Sequence, residues 1–377
     1  MEDRLRTRYM QQTLHLALKG AGYVAPNPRV GAVIVKNHRI LGRGFHRRFG
    51  APHAEIEALN DCARKGHDPT GATLFVNLEP CCHHGKTGPC TDAIIRAQIT
   101  HVEIATLDEF PAVRGRGAEQ LTENGITVNV GCCEKQAKQI NAGYFKLLRT
   151  KTPFVILKWA QSLDAKLDWQ PSDGITDSSC RWISNAKSRR HVHQVRSQCG
   201  AILVGIGTVL ADDPLLTVRL SGKRYQPRRV VLDSQLRIPM ESRLVKTARE
   251  TPLLIYTLTQ SVRDKGNIVS GLQEYGCEVI GLAAREKWVD LEAVLTDLGR
   301  RGVMDLLVEG GAAVLKTFAE QKRVDKFMIY IAPILIGSPA DVAKIDFGIS
   351  YDQLHDITIT RFDTDILIEA FTEKLEL

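Results

Sequence analysis

Leu78-Glu79-Pro80-Cys81-Cys82-His83-His84-Gly85-Lys86-Thr87-Gly88-Pro89-Cys90, read with His53-Ala54-Glu55 upstream of it, decides what the first half of this chain is. An apolar run, Ala72 to Leu78, predicts a strand that closes at Glu79-Pro80-Cys81, and Cys90 opens the helix expected over Thr91 to Ala97. His53 opens another helix, expected over Ala54 to Ala63. One histidine and two cysteines, His53, Cys81 and Cys90, offer three ligands to a tetrahedral zinc ion and leave the fourth position for water. Zinc lowers the pKa of such water to roughly 7. Glu55, two residues after the histidine, can reach that water without ligating the metal and shuttle its proton. A thiolate at a helix N-terminus also gains from the helix dipole. A closed four-ligand clip using Cys82 or His84 competes with this reading but leaves Glu55 without a role, and Cys82 stays the rival ligand.

Around this nucleus the first 150 residues alternate between helix and strand. Tyr9, Leu14 and Ala17 define an opening helix that stops near Gly20 and Gly22. Val30 to Val35 and Ile40-Leu41 flank Asn37 as a hairpin. Further strands are expected at Val102 to Ala105 and Ile126 to Val130, with a short helix before Gly125 and one longer helix from Glu134 to Leu148. The pattern argues for a three-layer α/β domain. Arg149-Thr150-Lys151-Thr152-Pro153 reads as a linker, so domains of 1–149 and 150–377 are expected. A second alternating series follows, with strands from Phe154, Ala201, Arg229, Leu253, Glu278 and Leu306, and helices at Ala186 to Arg196, Leu291 to Leu298 and Ala312 to Ala319. It closes on strands at Phe327 to Ile331 and Ile366 to Phe371.

Composition narrows the class. The 377 residues are 44% hydrophobic and 25% charged, which excludes a disordered chain. No run approaches the ~18–20 apolar residues of a membrane helix, and the charged N-terminus has no apolar signal region, so no membrane partner and a cytoplasmic location are expected. Nine cysteines without an export signal argue against a disulfide framework. The net charge of +7 is scattered, which suits phosphate-bearing ligands at local sites and does not demand nucleic acid.

The general zinc-deaminase signature is H-x-E followed by P-C-x-x-C. His53 and Glu55 match its first half, but eight residues separate Cys81 from Cys90. That longer string resembles LEPCSHHG[KR]TPPC of the bifunctional riboflavin-biosynthesis deaminase/reductases. Ala25-Pro26-Asn27-Pro28-Arg29-Val30-Gly31-Ala32-Val33, Gly44-Phe45-His46 and Pro52-His53-Ala54-Glu55 resemble the same family. The resemblance implies a cytidine-deaminase-like domain with His53, Cys81 and Cys90 on zinc and Glu55 as proton shuttle. It also implies that Asn27, His46 and Lys86 hold the pyrimidine and ribose phosphate. Read alone, Asn27 is an Asn-Pro turn residue and Lys86 a solvated loop charge. Cys82 stands for the family's serine, Gly88 for a proline, and Phe110 for an asparagine in Asp108-Glu109-Phe110-Pro111.

Past the linker the same family continues, so the resemblance is nearly full length. Leu157-Lys158-Trp159-Ala160-Gln161-Ser162-Leu163-Asp164 resembles the opening strand of its dihydrofolate-reductase-like domain. Trp182-Ile183-Ser184, Ile202 to Val209, Asp212 to Arg219, Val231 to Ser234 and Leu307 to Gly311 follow in the family's order. This implies NADPH near Ala160, Trp182, Thr208, Asp212, Ser234, Gly311, Ala312 and Ala313, with Ser234 at the phosphate that marks NADPH. Gly310 and Gly311 would let backbone approach a diphosphate before a helix N-terminus. Cys180, Arg196, Leu216, Arg219 and Glu309 would meet substrate, the two arginines on its phosphate. Lys158 and Glu309 would stand at the reacting sugar, and read alone they are a salt bridge between neighbouring strands. Ala165 stands for a glycine and Cys180 for a serine, and Asp164 and Trp182 lie about six residues further apart than in the family.

The function implied is zinc-dependent deamination of a phosphorylated pyrimidine followed by NADPH-dependent reduction of its ribosyl group, in a homo-oligomer joined through the reductase domain. A nucleic-acid-editing deaminase is one rival, and it predicts P-C-x-x-C and leaves the second half unexplained. A scaffold with one silenced site is the other.

Overall fold

The computed structural model describes residues 3–83, 88–168, 182–222, 225–337 and 351–373. The chain forms two compact units, one through Lys151 and one from Thr152. Among the described residues, no helix is long and apolar enough to cross a membrane.

The first unit runs α1 (Asp3–Leu18), β1 (Gly31–Lys36), β2 (Arg39–Phe45), α2 (Ala54–Arg64), β3 (Thr73–Leu78), α3 (Cys90–Arg96), β4 (His101–Thr106), α4 (Arg116–Glu123), β5 (Thr127–Val130), α5 (Glu134–Ile140) and α6 (Ala142–Thr150). Its sheet has the order β2-β1-β3-β4-β5, with β1 antiparallel to both neighbours and β3, β4 and β5 parallel. Side chains alternate across a strand. Ala32, Ile34, Leu74 and Val76 therefore pack under α2, α3 and α4 with Ala58, Ile94 and Leu121. Val33, Val35 and Phe75 face Met10 and Leu14 of α1 and Ala137 of α5. This is the expected three-layer arrangement.

The expected single helix from Glu134 to Leu148 is broken at Asn141. The Asn141 amide accepts the Arg29 N–H at 2.8 Å and donates to the Arg29 carbonyl at 3.0 Å, which holds its own backbone out of helical register at ψ 15°. Asn77 grips the same stretch, donating to the Arg29 carbonyl and accepting from the Gly31 N–H. Two buried asparagines thus fix the loop that carries Asn27.

The second unit contains β6 (Phe154–Ser162), α7 (Ala186–Arg196), β7 (Ala201–Gly205), α8 (Ile206–Asp212), β8 (Arg228–Leu232), α9 (Arg243–Lys246), β9 (Leu253–Leu258), α10 (Thr259–Asp264), α11 (Gly266–Glu274), β10 (Glu278–Leu282), β11 (Ala284–Arg285) and β12 (Trp288–Val289). It continues with α12 (Leu291–Arg300), β13 (Asp305–Val308), α13 (Ala312–Glu320), β14 (Lys326–Ala332), β15 (His355–Phe362) and β16 (Asp365–Phe371). Nine strands form one sheet in the order β10-β9-β8-β7-β13-β6-β14-β16-β15. The run from β10 to β14 is parallel, and the last two strands are antiparallel. Leu306 and Val308 of β13 join a core under α12 and α13, while Leu307 joins one under α8, α9 and α11. Burial on both faces explains why these strands read as continuous apolar runs. Parallel pairing also brings the carboxyl ends of β6, β7, β8, β13 and β14 to one edge, where open α/β sheets bind ligands.

Candidate functional site

In the first unit, His53 is the N-cap of α2, Cys90 the first residue of α3, and Cys81 follows β3. The His53 Nδ1 lies 3.4 Å from the Cys81 Sγ and 3.3 Å from the Cys90 Sγ. Tetrahedral zinc with Zn–S of ~2.3 Å and Zn–N of ~2.0 Å would separate such atoms by about 3.5 Å. The three donors therefore stand close to metal-binding geometry. Cys82 does not join them, because its thiol donates to the Ala112 carbonyl. Among the described residues, His53, Cys81 and Cys90 are the group able to hold a metal. His84 and Lys86 lie outside the described residues.

Glu55 is buried, and its Oε2 has no hydrogen-bond partner. A buried carboxylate oxygen left unpaired beside three ligands fits a missing metal-held water. Burial, then the neighbouring Cys81 charge, pushes the Glu55 carboxyl up to about 7. The Cys81 thiol moves the other way, to about 4, because Cys90 donates to it, against burial and with help from His53. The Cys90 N–H also points at the Cys81 sulfur at 3.4 Å. The hydrogen bond with Cys81 outweighs burial and raises His53.

His46 and Asn27 come to the same place. The His46 ring lies 5.4 Å from that of His53, edge-on. Its Nδ1 sits 3.1 Å from the Pro52 carbonyl, which can only accept, so this nitrogen carries the proton. Its Nε2 then accepts from the Asn27 amide at 3.3 Å. Phe110 is exposed, with its ring 5.6 Å from that of His83.

Glu79 is a residue the motif contains and the sequence reading passed over. Its carboxylate accepts four backbone N–H groups, from Asp108, Gly115, Gly117 and Ala118, at 2.9–3.1 Å. It ties the start of α4 to the loop that delivers Cys81. The signal was a buried-strand glutamate directly before Pro80-Cys81, which needs partners to be tolerated there.

At the carboxyl edge of the second sheet, Lys158 lies 3.8 Å from Glu309. Parallel pairing of β6 with β13 makes the contact, since Leu157 is opposite Val308. Arg196, expected on the substrate phosphate, meets Glu309 in this structure. Its Nε and Nη2 donate to the two Glu309 oxygens at 2.6 and 2.9 Å, and its Nη1 donates to the Thr217 carbonyl. This bidentate pair orients Glu309. Burial pushes the Glu309 carboxyl up, but Arg196 and Lys158 outweigh it and bring it down to about 2. Burial lowers Lys158 from its ordinary range against the pull of Glu309. Arg219 is exposed, and burial followed by Arg196 and Arg243 lowers its pKa. Burial, then Arg196 and Arg219, brings His193 down to about 4. Uncompensated positive charge of this kind fits an anionic ligand.

Of the expected cofactor residues, Thr208 meets the turn that carries Gly311, Ala312 and Ala313. Thr208 of α8 accepts the Gly311 N–H at 3.2 Å, at the N-cap of α13, whose first residues are Ala312 and Ala313. A methyl on Gly310 would meet the Val314 side chain, so the turn packs closely on α13. Ala160 lies on β6 two residues beyond Lys158, and Asp212 is the exposed last residue of α8. Leu216 is buried at φ 51°. Trp182 is exposed with the Arg189 guanidinium over its ring at 4.8 Å, and Cys180 lies outside the described residues. Ser234 is buried, and its hydroxyl accepts the Val289 N–H at 3.0 Å. Asp233 is buried, and its Oδ2 accepts the Arg237 and Ile238 N–H groups.

The family description "RibD C-terminal domain" matches residues 153–368, and "Cytidine and deoxycytidylate deaminase zinc-binding region" matches residues 4–106. The riboflavin biosynthesis protein RibD of Aquifex aeolicus is 40% identical over 90% of each chain, and that of Escherichia coli is 37% identical over 88% of this chain and 89% of its own. The crystal structure of a deaminase/reductase from Thermotoga maritima superposes with a TM-score of 0.83 at 34% identity, covering 99% of this chain and all of that one. RibD of Acinetobacter baumannii gives 0.80 at 31% over the same shares. Identity of this order over nearly the whole of each chain shows that the chain, with its metal-ready His-Cys-Cys group in one unit and its charged Lys-Glu-Arg cluster in the other, belongs to the RibD family, the bifunctional deaminase/reductase enzymes of riboflavin biosynthesis.

Proposed function

We propose that the first unit removes the 2-amino group of 2,5-diamino-6-ribosylamino-4(3H)-pyrimidinone 5′-phosphate as ammonia, with water supplying the oxygen. The second unit then reduces the ribosyl group to ribityl with NADPH. The Thermotoga maritima relative is named diaminohydroxyphosphoribosylaminopyrimidine deaminase/5-amino-6-(5-phosphoribosylamino)uracil reductase, which supports this substrate. The unpaired, buried Oε2 of Glu55 beside three metal donors carries the reading.

His53, Cys81 and Cys90 would hold zinc, which when bound lowers the pKa of its water toward 7. Glu55 takes the proton from the attacking water and passes it to the leaving amine, a role its raised pKa suits. Asn27 and His46 line the same pocket and orient the pyrimidine. In the second unit Thr208 and Gly311 would hold NADPH, which when bound would supply the hydride. Lys158 delivers the proton to the opening sugar while Glu309, held by Arg196, keeps the ammonium in place. Arg219 meets the substrate phosphate.

Purified protein given the pyrimidine nucleotide and NADPH is expected to release ammonia and oxidise NADPH, with about one zinc per chain. Cys90→Ser should lose zinc by metal analysis, whereas Cys82→Ser should retain it. Full zinc occupancy in Cys90→Ser would reject the ligand set.

A further inference from the structure

Lys158 has two neighbours for its charge. Glu309 stands 3.8 Å away, beyond hydrogen-bond reach, and both of its oxygens accept from Arg196. The second neighbour is Tyr330, whose ring lies under the ammonium at 5.6 Å from nitrogen to centroid, within the range of a cation–π attraction. The sheet register brings the two together. Lys158 is opposite Met328 and Ala160 opposite Tyr330, and side chains two apart share a face. That face packs on α7, where Ile156 and Ala160 of β6 meet Met328, Tyr330 and Val192. Tyr330 is itself held firmly. It is 1% exposed, and a hydrogen bond of 2.8 Å joins its hydroxyl to the His191 Nδ1 of α7. The His191 imidazole stacks on Phe362, the last residue of β15, at 4.6 Å with 26° between the planes. Three rings from β14, α7 and β15 thus brace one another beside the ammonium.

We propose that Tyr330 is a positioning residue of the reductase, its ring face holding the Lys158 ammonium where it delivers its proton, with His191 and Phe362 holding the ring. A lysine stem is long and flexible, and a carboxylate already bonded to Arg196 restrains it weakly. The negative face of an aromatic ring attracts a cation but cannot accept its proton. Tyr330 therefore keeps Lys158 charged and in place while leaving the proton free for the substrate. Around Lys158 the charged groups are Glu309 and Arg196. Tyr330, His191 and His193 are the titratable ones on β14 and α7, and Glu369 of β16 is paired with Lys326 at 2.6 Å. The inference rests on the reading of Lys158 as proton donor to the opening sugar.

Full-length protein supplied with the deaminated intermediate and NADPH tests it, read as kcat and KM of NADPH oxidation across pH. Tyr330→Phe keeps the ring and its negative face, and should keep kcat within about twofold of wild type. Trifluorophenylalanine incorporated in place of Tyr330 keeps the size of the ring but withdraws the negative charge from its face. Its kcat should fall roughly 5- to 30-fold below that of Tyr330→Phe, the worth of one partly desolvated cation–π contact, with KM little changed. Burial already lowers Lys158 from its ordinary range. Without the ring's attraction the ammonium gives up its proton more readily still, so the alkaline limb of the kcat profile should move to lower pH. Equal kcat in the phenylalanine and trifluorophenylalanine proteins, or an alkaline limb that does not move between them, overturns the proposal. A Lys158→Met protein that reduces at the wild-type rate overturns the reading of Lys158 as proton donor, and this inference with it. An inactive Lys158→Met beside an unaffected trifluorophenylalanine protein overturns this inference alone.

Discussion

Asp108 shows how one residue can set the pH response of the deaminase unit. It is buried, and its Oδ1 accepts both the Phe110 N–H at 2.9 Å and the Tyr144 hydroxyl at 3.1 Å. Burial pushes its carboxyl up from an ordinary 3.8 to about 6. A carboxyl raised in the fold favours the protonated native state. That stability is fully present below pH 4 and is lost as pH rises through 6. Asparagine keeps the Oδ1 acceptor and cannot ionise. Asp108→Asn should therefore be more stable than wild type at pH 8 by about 1–3 kcal/mol and not at pH 4, as urea unfolding at the two values would reveal. Ala165 is a second case. It adopts φ +62°, a left-handed conformation that costs an alanine ~1–2 kcal/mol. Glycine is more flexible when unfolded, by ~0.4–1 kcal/mol. Ala165→Gly should still gain about 0.5–1 kcal/mol in the same unfolding measurement.

Between elements, close approach decides what the site can be. Gly42 and Gly44 of β2 lie against α2, the helix that begins with His53 and Glu55. A methyl on Gly44 would fall on the Ala54 carbonyl and the Ala58 N–H, and neither backbone group can yield without moving the helix. Gly44→Ala should cost about 1–3 kcal/mol and release zinc at a lower chelator concentration than wild type. This is also where the sequence was least readable. The metal group was legible because its ligands begin helices or end a strand within short, distinctive strings. The Arg196–Glu309 pair was not legible because Glu309 lies 113 residues away, directly after a strand that enters the sheet out of chain order. The break at Asn141 was hidden because it depends on the Arg29 backbone, 112 residues away. The edge strand β15 buries none of its eight residues, all of them exposed or half-buried, so no alternation declares it.

At the scale of the whole molecule, each chemistry is built within its own unit, from residues on one side of Lys151 or the other. The donors, Glu55, Asn27 and His46 lie in the first unit, and Lys158, Arg196, Arg219 and Glu309 in the second. The two activities should then be separable by substitution. Glu55→Gln preserves the size of the side chain but not the proton shuttle, and general acid–base groups contribute typically ~10²–10⁴-fold. Ammonia release should fall by that order while reduction of supplied deaminated intermediate continues at nearly the wild-type rate. Lys158→Met removes the ammonium beside Glu309 and should do the reverse, preserving ammonia release and depressing NADPH oxidation. Each variant is the folding control for the other, because general unfolding removes both activities. Loss of reduction in a folded Glu55→Gln protein, judged by circular dichroism, would mean that the carboxylate serves both reactions, and a shared or obligatorily coupled site would have to replace two independent ones.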